Sequence, residues 1–243
     1  MKPFKVAVVG ATGAVGREMW ALLEASELPI SEIHAYTSAR SLGTKIGFRG
    51  TRVTCRELSE ATLESVQLVL ASAGAQTSRE WSPRFVDSGA VVVDNSSAFR
   101  DHPDHPLVVP EINGHLLEKQ PSIIANPNCS TIQMVMALAP LHLEWGLRAV
   151  KVATYQSASG AGGRAMAELL AGSIAVLEDR EHVPENFPHP LGFNVIPHVG
   201  EFEPSGESGE EIKMRLETRR ILALPHLPLS ATCVRVPVLR GHS

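Results

Sequence analysis

Read from its amino terminus, the chain sets an apolar β-branched run, Lys5-Val6-Ala7-Val8-Val9, before a glycine turn. A run of that kind suits a parallel strand buried on both faces. A helix is expected from about Val15 to Ala25, then strands over Glu32–Tyr36, Leu68–Ala71 and Ala90–Asp94, with a helix near Arg79–Ser88. Strands alternating with helices predict a parallel, doubly wound sheet of the Rossmann type. Beyond Asn126-Pro127-Asn128, Thr131–Ala139 is apolar at helical spacing and is expected to stop at Pro140. A strand over Ala149–Tyr155, irregular loops through the Pro-, Asn-, His- and Gly-rich stretch Pro184–Pro204, a helix over Glu210–Ala223 and a strand over Thr232–Leu239 complete the pattern. The reading is thus an α/β protein: a doubly wound domain over 1–127, then a second, α+β domain over 128–243.

Composition changes this picture little. Of 243 residues, 44% are hydrophobic and 20% charged, as expected of a folded chain long enough for two domains. A formal charge of -4 gives little drive toward nucleic acid or anionic lipid, so the expected partner is a small molecule. No apolar run reaches the roughly 18 residues of a membrane span, and Met1-Lys2-Pro3-Phe4 leads straight into a strand pattern, so a cytoplasmic protein is expected. Cys55, Cys129 and Cys233 form no CxxC pair, which argues against a disulfide framework and a metal knuckle.

Candidate chemistry begins in the first turn. Gly10-Ala11-Thr12-Gly13-Ala14-Val15-Gly16 is a GxxGxxG variant of the dinucleotide fingerprint, in which a tight turn brings a pyrophosphate to a helix N-terminus. An NAD site commonly places an acid at the end of the second strand, but none occurs from Ile33 through Arg56. Thr37-Ser38-Ala39-Arg40-Ser41 stands there instead, with Lys45 and Arg49 nearby, a set suited to the 2′-phosphate of NADP. The alternative for Arg40 is a solvated surface charge.

Cys129 stands where an irregular turn should give way to a helix. Helix dipole and backbone N–H groups there favour a thiolate and can hold an oxyanion, which suits acyl chemistry through sulfur. Cys55 and Cys233 read as small buried hydrophobes.

Gly10 to Gly16, Ser96-Ser97-Ala98-Phe99-Arg100, Asn126 to Thr131, Gln156 through Gly162, Phe193 to Pro197, and Arg235-Val236-Pro237-Val238 through Gly241-His242-Ser243 resemble, in order, the motifs of aspartate-semialdehyde dehydrogenases. The resemblance implies that Cys129 is the thiol nucleophile and His242 its acid/base, with Gln156 and Asn128 orienting substrate and intermediate. It implies that Arg235 holds the substrate carboxylate, Glu210 the substrate ammonium group, and Arg100 with Lys213 the inorganic phosphate. Ser159 and Gly160 join Gly10 to Gly16, Ser38, Arg40 and Ser41 in the NADP site. The substrates implied are aspartate semialdehyde, aspartyl phosphate and phosphate, on the way to lysine, threonine, methionine and diaminopimelate, in a homodimer. Taken singly, Arg100 could pair with Asp101 or Asp104, Lys213 with Glu210 on a helix surface, and Gln156 could satisfy loop backbone. In the family roughly a hundred further residues complete the second domain, so the chain is expected to be incomplete. The alternatives are a truncated or non-catalytic NADP-binding paralogue and an N-acetyl-γ-glutamyl-phosphate reductase; in the latter the cysteine is usually followed by Tyr-Pro-Thr, where Ser130-Thr131-Ile132 stands here.

Overall fold

The computed structural model describes residues 2–58, 63 and 66–243. Two compact units divide it, Met1–Pro127 and Asn128–Ser243.

The first unit is built on five parallel strands, β1 (Phe4–Val9), β2 (Ile30–Tyr36), β5 (Leu68–Ala71), β6 (Val91–Asp94) and β7 (Ile123–Ala125), in the order β2-β1-β5-β6-β7. Val6, Ala7 and Val8 are fully buried, as a central strand covered on both faces requires. The chain leaves β1 toward β2 on one side and returns as β5 on the other. Such a reversal opens a crevice at the carboxyl ends of the strands.

Helix α1 (Ala14–Ala25) turns Trp20 and Leu23 into a core with Val6, Val8, Ile33, Ala35, Phe48 and Cys55. A hairpin that the sequence pattern did not single out, β3 (Lys45–Phe48) and β4 (Thr51–Thr54), turns at Arg49-Gly50, both at positive φ. It supplies Phe48, edge-on to the Trp20 ring at 5.5 Å. Arg49, expected near the cofactor, instead donates to the carbonyls of Leu23, Ser26 and Leu28, closing the C-terminal end of α1. Helix α2 (Ala75–Asp87) and the single turn α3 (Pro110–Asn113) complete the unit's α-helices among the described residues.

The second unit has a parallel pair, β8 (Val150–Gln156) and β9 (Leu229–Arg235), with α4 (Cys129–Trp145), α5 (Gly163–Leu177) and α6 (Gly209–Ile221). Helix α4 does not stop at Pro140. The missing N–H would have bonded the carbonyl of Met136, a residue 40% exposed, where water can replace it. The sequence reading did not single out α5, which buries Ala165, Leu169, Gly172 and Ala175 along one stripe. Strand β9 ends at Arg235 rather than Leu239, because the chain turns there and Val238 N–H closes onto the carbonyl of Val236. Helix α6 opens with a capping box between Ser208 and Glu211, two residues before or at the charges it presents.

Candidate active site

In the second unit the chemistry gathers at the start of α4 and the ends of β8 and β9. Asn128 is the N-cap of α4: its Oδ1 accepts the N–H groups of Ser130 at 2.9 Å and Thr131 at 3.2 Å. Those two amides are therefore committed to the cap and are not offered to a ligand. The same side chain donates through Nδ2 to Glu210 Oε1 at 2.8 Å. Capping in this way presents Cys129 in the first turn of α4, exposed, whereas Cys55 and Cys233 are buried. Burial pushes the Cys55 thiol up and the Cys233 thiol up to about 11, which leaves both poor nucleophiles.

Gln156 and Arg235 are partners in the β8–β9 register and end their strands side by side. The Gln156 side chain, 2% exposed, donates to Thr154 Oγ1 at 3.2 Å and Glu210 Oε1 at 3.5 Å. Glu210 is thus a shared acceptor for Asn128 and Gln156, itself 7% exposed. Lys213, on the same helix, reaches only 3.7 Å from Glu210 Oε2 and stays half exposed, a geometry that contributes little to stability.

Arg235, also 7% exposed, donates to the carbonyl of Ser157 at 2.7 Å and lies over the Phe187 ring. Burial pulls its guanidinium below the usual arginine value, while the Glu210 carboxylate and the Cys129 sulfur hold it up.

Beyond β9 the chain loops back through paired main-chain bonds between Tyr155 and Ser243, and this return sets His242 beside Ser157. Ser157 N–H donates to His242 Nδ1 at 3.0 Å, so the neutral ring carries its hydrogen on Nε2. Burial, and then the Arg235 charge, lower the pKa of His242, with Glu210 opposing. If the ring becomes charged, Ser157 Oγ at 3.1 Å can accept from Nδ1. Gly160 packs against both groups: a Cβ there would lie 3.0 Å from His242 Cε1 and 3.1 Å from Arg235 Nη1. Ser159 bonds the Ser157 hydroxyl at 2.9 Å. Asn128, Cys129, Gln156, Ser159, Gly160, Glu210, Lys213, Arg235 and His242 all belong to this unit. Ser157 and Phe187 were missed because neither residue type signals chemistry by itself.

In the first unit, Gly10 sits at φ +86°, and a Cβ on it would press on the Ser72 backbone at 3.0 Å. Gly16 packs so tightly on that turn that a Cβ would lie 2.1 Å from the Gly10 carbonyl oxygen. Ala11 is buried, Thr12 shares a 2.6 Å hydrogen bond with Thr37, and Gly13 is an N-cap without a side-chain cap. Ala14, Val15 and Gly16 make the first turn of α1, whose N–H groups are left for an anion.

A cleft of about 280 Å³ opens beside Gly10, bordered by Thr37, Ser38, Ala73 and Trp81. Arg40 and Ser41 lie in a short 3-10 turn, Ala39–Ser41, that follows β2 and has Ser38 as its N-cap. Among the described residues the Arg40 guanidinium makes no hydrogen bond or ion pair. Glu57 also lines the cleft, one residue past the stretch searched for an acid. Arg100, expected at a phosphate, donates to the carbonyls of Asn126 at 2.9 Å and Asn95 at 3.0 Å, tying together the loops after β6 and β7.

Two family models match the chain, one described as the NAD binding domain of semialdehyde dehydrogenase over residues 5–120, the other as its dimerisation domain over 138–243. Fold and site thus define a semialdehyde dehydrogenase, an oxidoreductase with a nicotinamide-dinucleotide domain. An aspartate-semialdehyde dehydrogenase of Aquifex aeolicus is 46% identical over 99% of this chain and 72% of its own length. One from Bacillus subtilis is 45% identical over 98% of this chain and 71% of its own. Among solved structures, aspartate semialdehyde dehydrogenase II of Vibrio cholerae, described as complexed with ASA, superposes with a TM-score of 0.97 at 40% identity. That match covers 100% of this chain and 73% of the other. The chain belongs to the aspartate-semialdehyde dehydrogenase family. Among the described residues no helix is long and apolar enough to cross a membrane, and no cluster could hold a metal ion.

Proposed function

We propose that the protein interconverts L-aspartate 4-semialdehyde plus phosphate with L-aspartyl 4-phosphate through a thioester on Cys129, using NADP. The observation that carries this reading is the exposure of Cys129 at a capped helix N-terminus within the field of buried Arg235. In the oxidative direction the thiolate adds to the aldehyde carbon to form a thiohemiacetal. Loss of hydride from that carbon leaves the thioester, and phosphate then displaces sulfur to release the acyl phosphate. In the reductive direction, expected in the cell on the way to lysine, threonine, methionine and diaminopimelate, the thiolate attacks the acyl phosphate first and phosphate leaves.

Arg235 suits the substrate carboxylate and Glu210 its ammonium group, since each is a nearly buried charge with only part of its capacity used within the protein. His242 offers Nε2–H to oxygen on the reacting carbon, and its acid/base role uses the Ser157 hydroxyl as the alternative partner of Nδ1. Arg100 and Lys213 carry the phosphate in this reading, as the family resemblance implies.

The dinucleotide, when bound, supplies the hydride acceptor or donor. The chain's own part is to cradle it: Gly10 and Gly16 keep side chains out of the turn, and α1 presents uncapped amides. Arg40, with Ser38 and Ser41 beside it, suits a 2′-phosphate. A Candida albicans relative, 26% identical with a TM-score of 0.74 over 99% of this chain and 70% of its own, is described with NADP. The dimerisation-domain match supports a homodimer. A cytoplasmic location is part of this proposal.

The test is phosphate-dependent reduction of NADP with L-aspartate 4-semialdehyde, compared with NAD, in the native protein and Cys129→Ala. Turnover that needs phosphate and vanishes with the thiol supports the reading. Turnover that survives Cys129→Ala overturns it.

A further inference from the structure

Helix α6 carries a second buried acid that the mechanism above does not use. Glu217 is 3% exposed and lies seven residues after Glu210. Seven residues are nearly two full helical turns, so both carboxylates project from one face of α6. Both reach the same residue: Glu210 takes the Asn128 side-chain amide at 2.8 Å, and Glu217 Oε2 takes the Asn128 main-chain N–H at 2.6 Å. Asn128 in turn spends its Oδ1 on Ser130 and Thr131.

The residue directly before the thiol is therefore fixed at three points. The cap sets the start of α4, Glu210 sets the side chain, and Glu217 sets the main chain. These points differ in what substrate does to them. In the proposed function Glu210 exchanges part of its bonding for the substrate ammonium group, so its hold on Asn128 alters during turnover. Glu217 bonds a main-chain N–H that no side-chain exchange can replace, and it lies on the buried side of the turn. A carboxylate is costly to bury, and the Asn128 N–H at 2.6 Å is one of the partners that offset the cost.

Resting on the reading of Cys129 as nucleophile, we infer that Glu217 is a positioning residue: it locks the Asn128 backbone so that the Cys129 sulfur keeps its attack geometry while Glu210 engages substrate. Glu217 touches neither substrate nor the reacting atoms in this account. Its effect on rate is expressed through placement, and a misplacement of about 1 Å near a reacting centre can cost on the order of 100-fold.

The experiment uses the purified enzyme with Glu217→Gln, Glu217→Met, Met214→Ala and Cys129→Ala, measuring kcat and KM for the semialdehyde and thermal midpoints. Glutamine keeps an oxygen to accept the Asn128 N–H; methionine fills similar space without one. Met214 is fully buried on the same helix, where it touches Cys233, so its truncation reports ordinary loss of α6 packing. The inference expects Glu217→Met to lower kcat about 10- to 100-fold with KM changed less than about threefold, and Glu217→Gln to restore most of kcat. Met214→Ala is expected to lower the thermal midpoint while kcat of the folded enzyme holds.

Glu217→Met with native kcat, or Glu217→Gln as slow as Glu217→Met while folded, overturns the inference. So does a Met214→Ala enzyme as slow as Glu217→Met, because packing alone would then explain the loss. If Glu217→Met does not fold, Glu217→Asp replaces it: the acceptor is shortened by one methylene, and a folded enzyme with native kcat again overturns the inference. Activity in Cys129→Ala would instead remove the underlying reading, while an inactive Cys129→Ala beside a fully active Glu217→Met removes the positioning role alone.

Discussion

Replacing Asn128 separates the structural and electrostatic parts of the site. In Asn128→Ala the cap on Ser130 and Thr131 is lost, a change that costs about 1 kcal/mol. The charge-assisted bond to Glu210 is lost as well, at about 1.5–3 kcal/mol, and it leaves that carboxylate short of a donor. The main-chain bond to Glu217 survives, since it does not involve the side chain. The sum is about 3 kcal/mol, which for a protein of this size lowers the thermal midpoint by about 6–12 °C.

Asn128→Asp tests the other half. Aspartate caps a helix as well as asparagine does, but it places a carboxylate where an amide donated to Glu210 at 2.8 Å. Two carboxylates at that distance raise the pKa of one of them. The folded state then binds a proton more tightly than the unfolded chain, so the variant's stability relative to the native protein falls as pH rises above about 4. Thermal melts by circular dichroism from pH 4.5 to 8 read both variants. A midpoint for Asn128→Ala within about 2 °C of native, taken with a pH-independent offset for Asn128→Asp, would refute the linkage between cap and carboxylate.

Other consequences can be measured separately. Gly16→Ala puts a methyl 2.1 Å from a backbone oxygen that cannot swing aside, so α1 must shift off the Gly10 turn. Dinucleotide affinity by fluorescence titration should drop at least about 10-fold, with stability lost as for other overpacked sites, about 1–3 kcal/mol. Arg40→Ala should weaken NADP by about 10-fold and leave NAD nearly unchanged, a ratio read from the two Kd values. His242 has a folded pKa below its ordinary value, so the unfolded chain binds its proton first. Its contribution to stability is complete above about pH 6.5 and is lost as pH falls from there through the lower folded pKa. His242→Asn, compared with the native protein in melts from pH 5 to 8, should remove that part of the slope.

Much of this fold and site is legible in local patterns of residues. Alternating β-branched runs and helical stretches declared a parallel sheet, because that pattern buries strands on both faces, and Gly10 to Gly16 announced a tight turn into a helix. Cys129 stood out from Cys55 and Cys233 by local setting alone, and the ordered motifs pointed to the family. Properties of long-range contact emerge only once the chain is folded. Arg49 and Arg40 are indistinguishable as sequence cations, yet one closes the end of α1 and the other makes no hydrogen bond or ion pair among the described residues. Arg100 donates to two loop carbonyls that lie 5 and 26 residues away. Glu217 reads as one more charge on a polar helix until the Asn128 N–H, 89 residues earlier, is found against it. Local pattern reports which face a residue turns to the interior; the partner that meets it there is chosen by chain segments whose approach no short window of sequence contains.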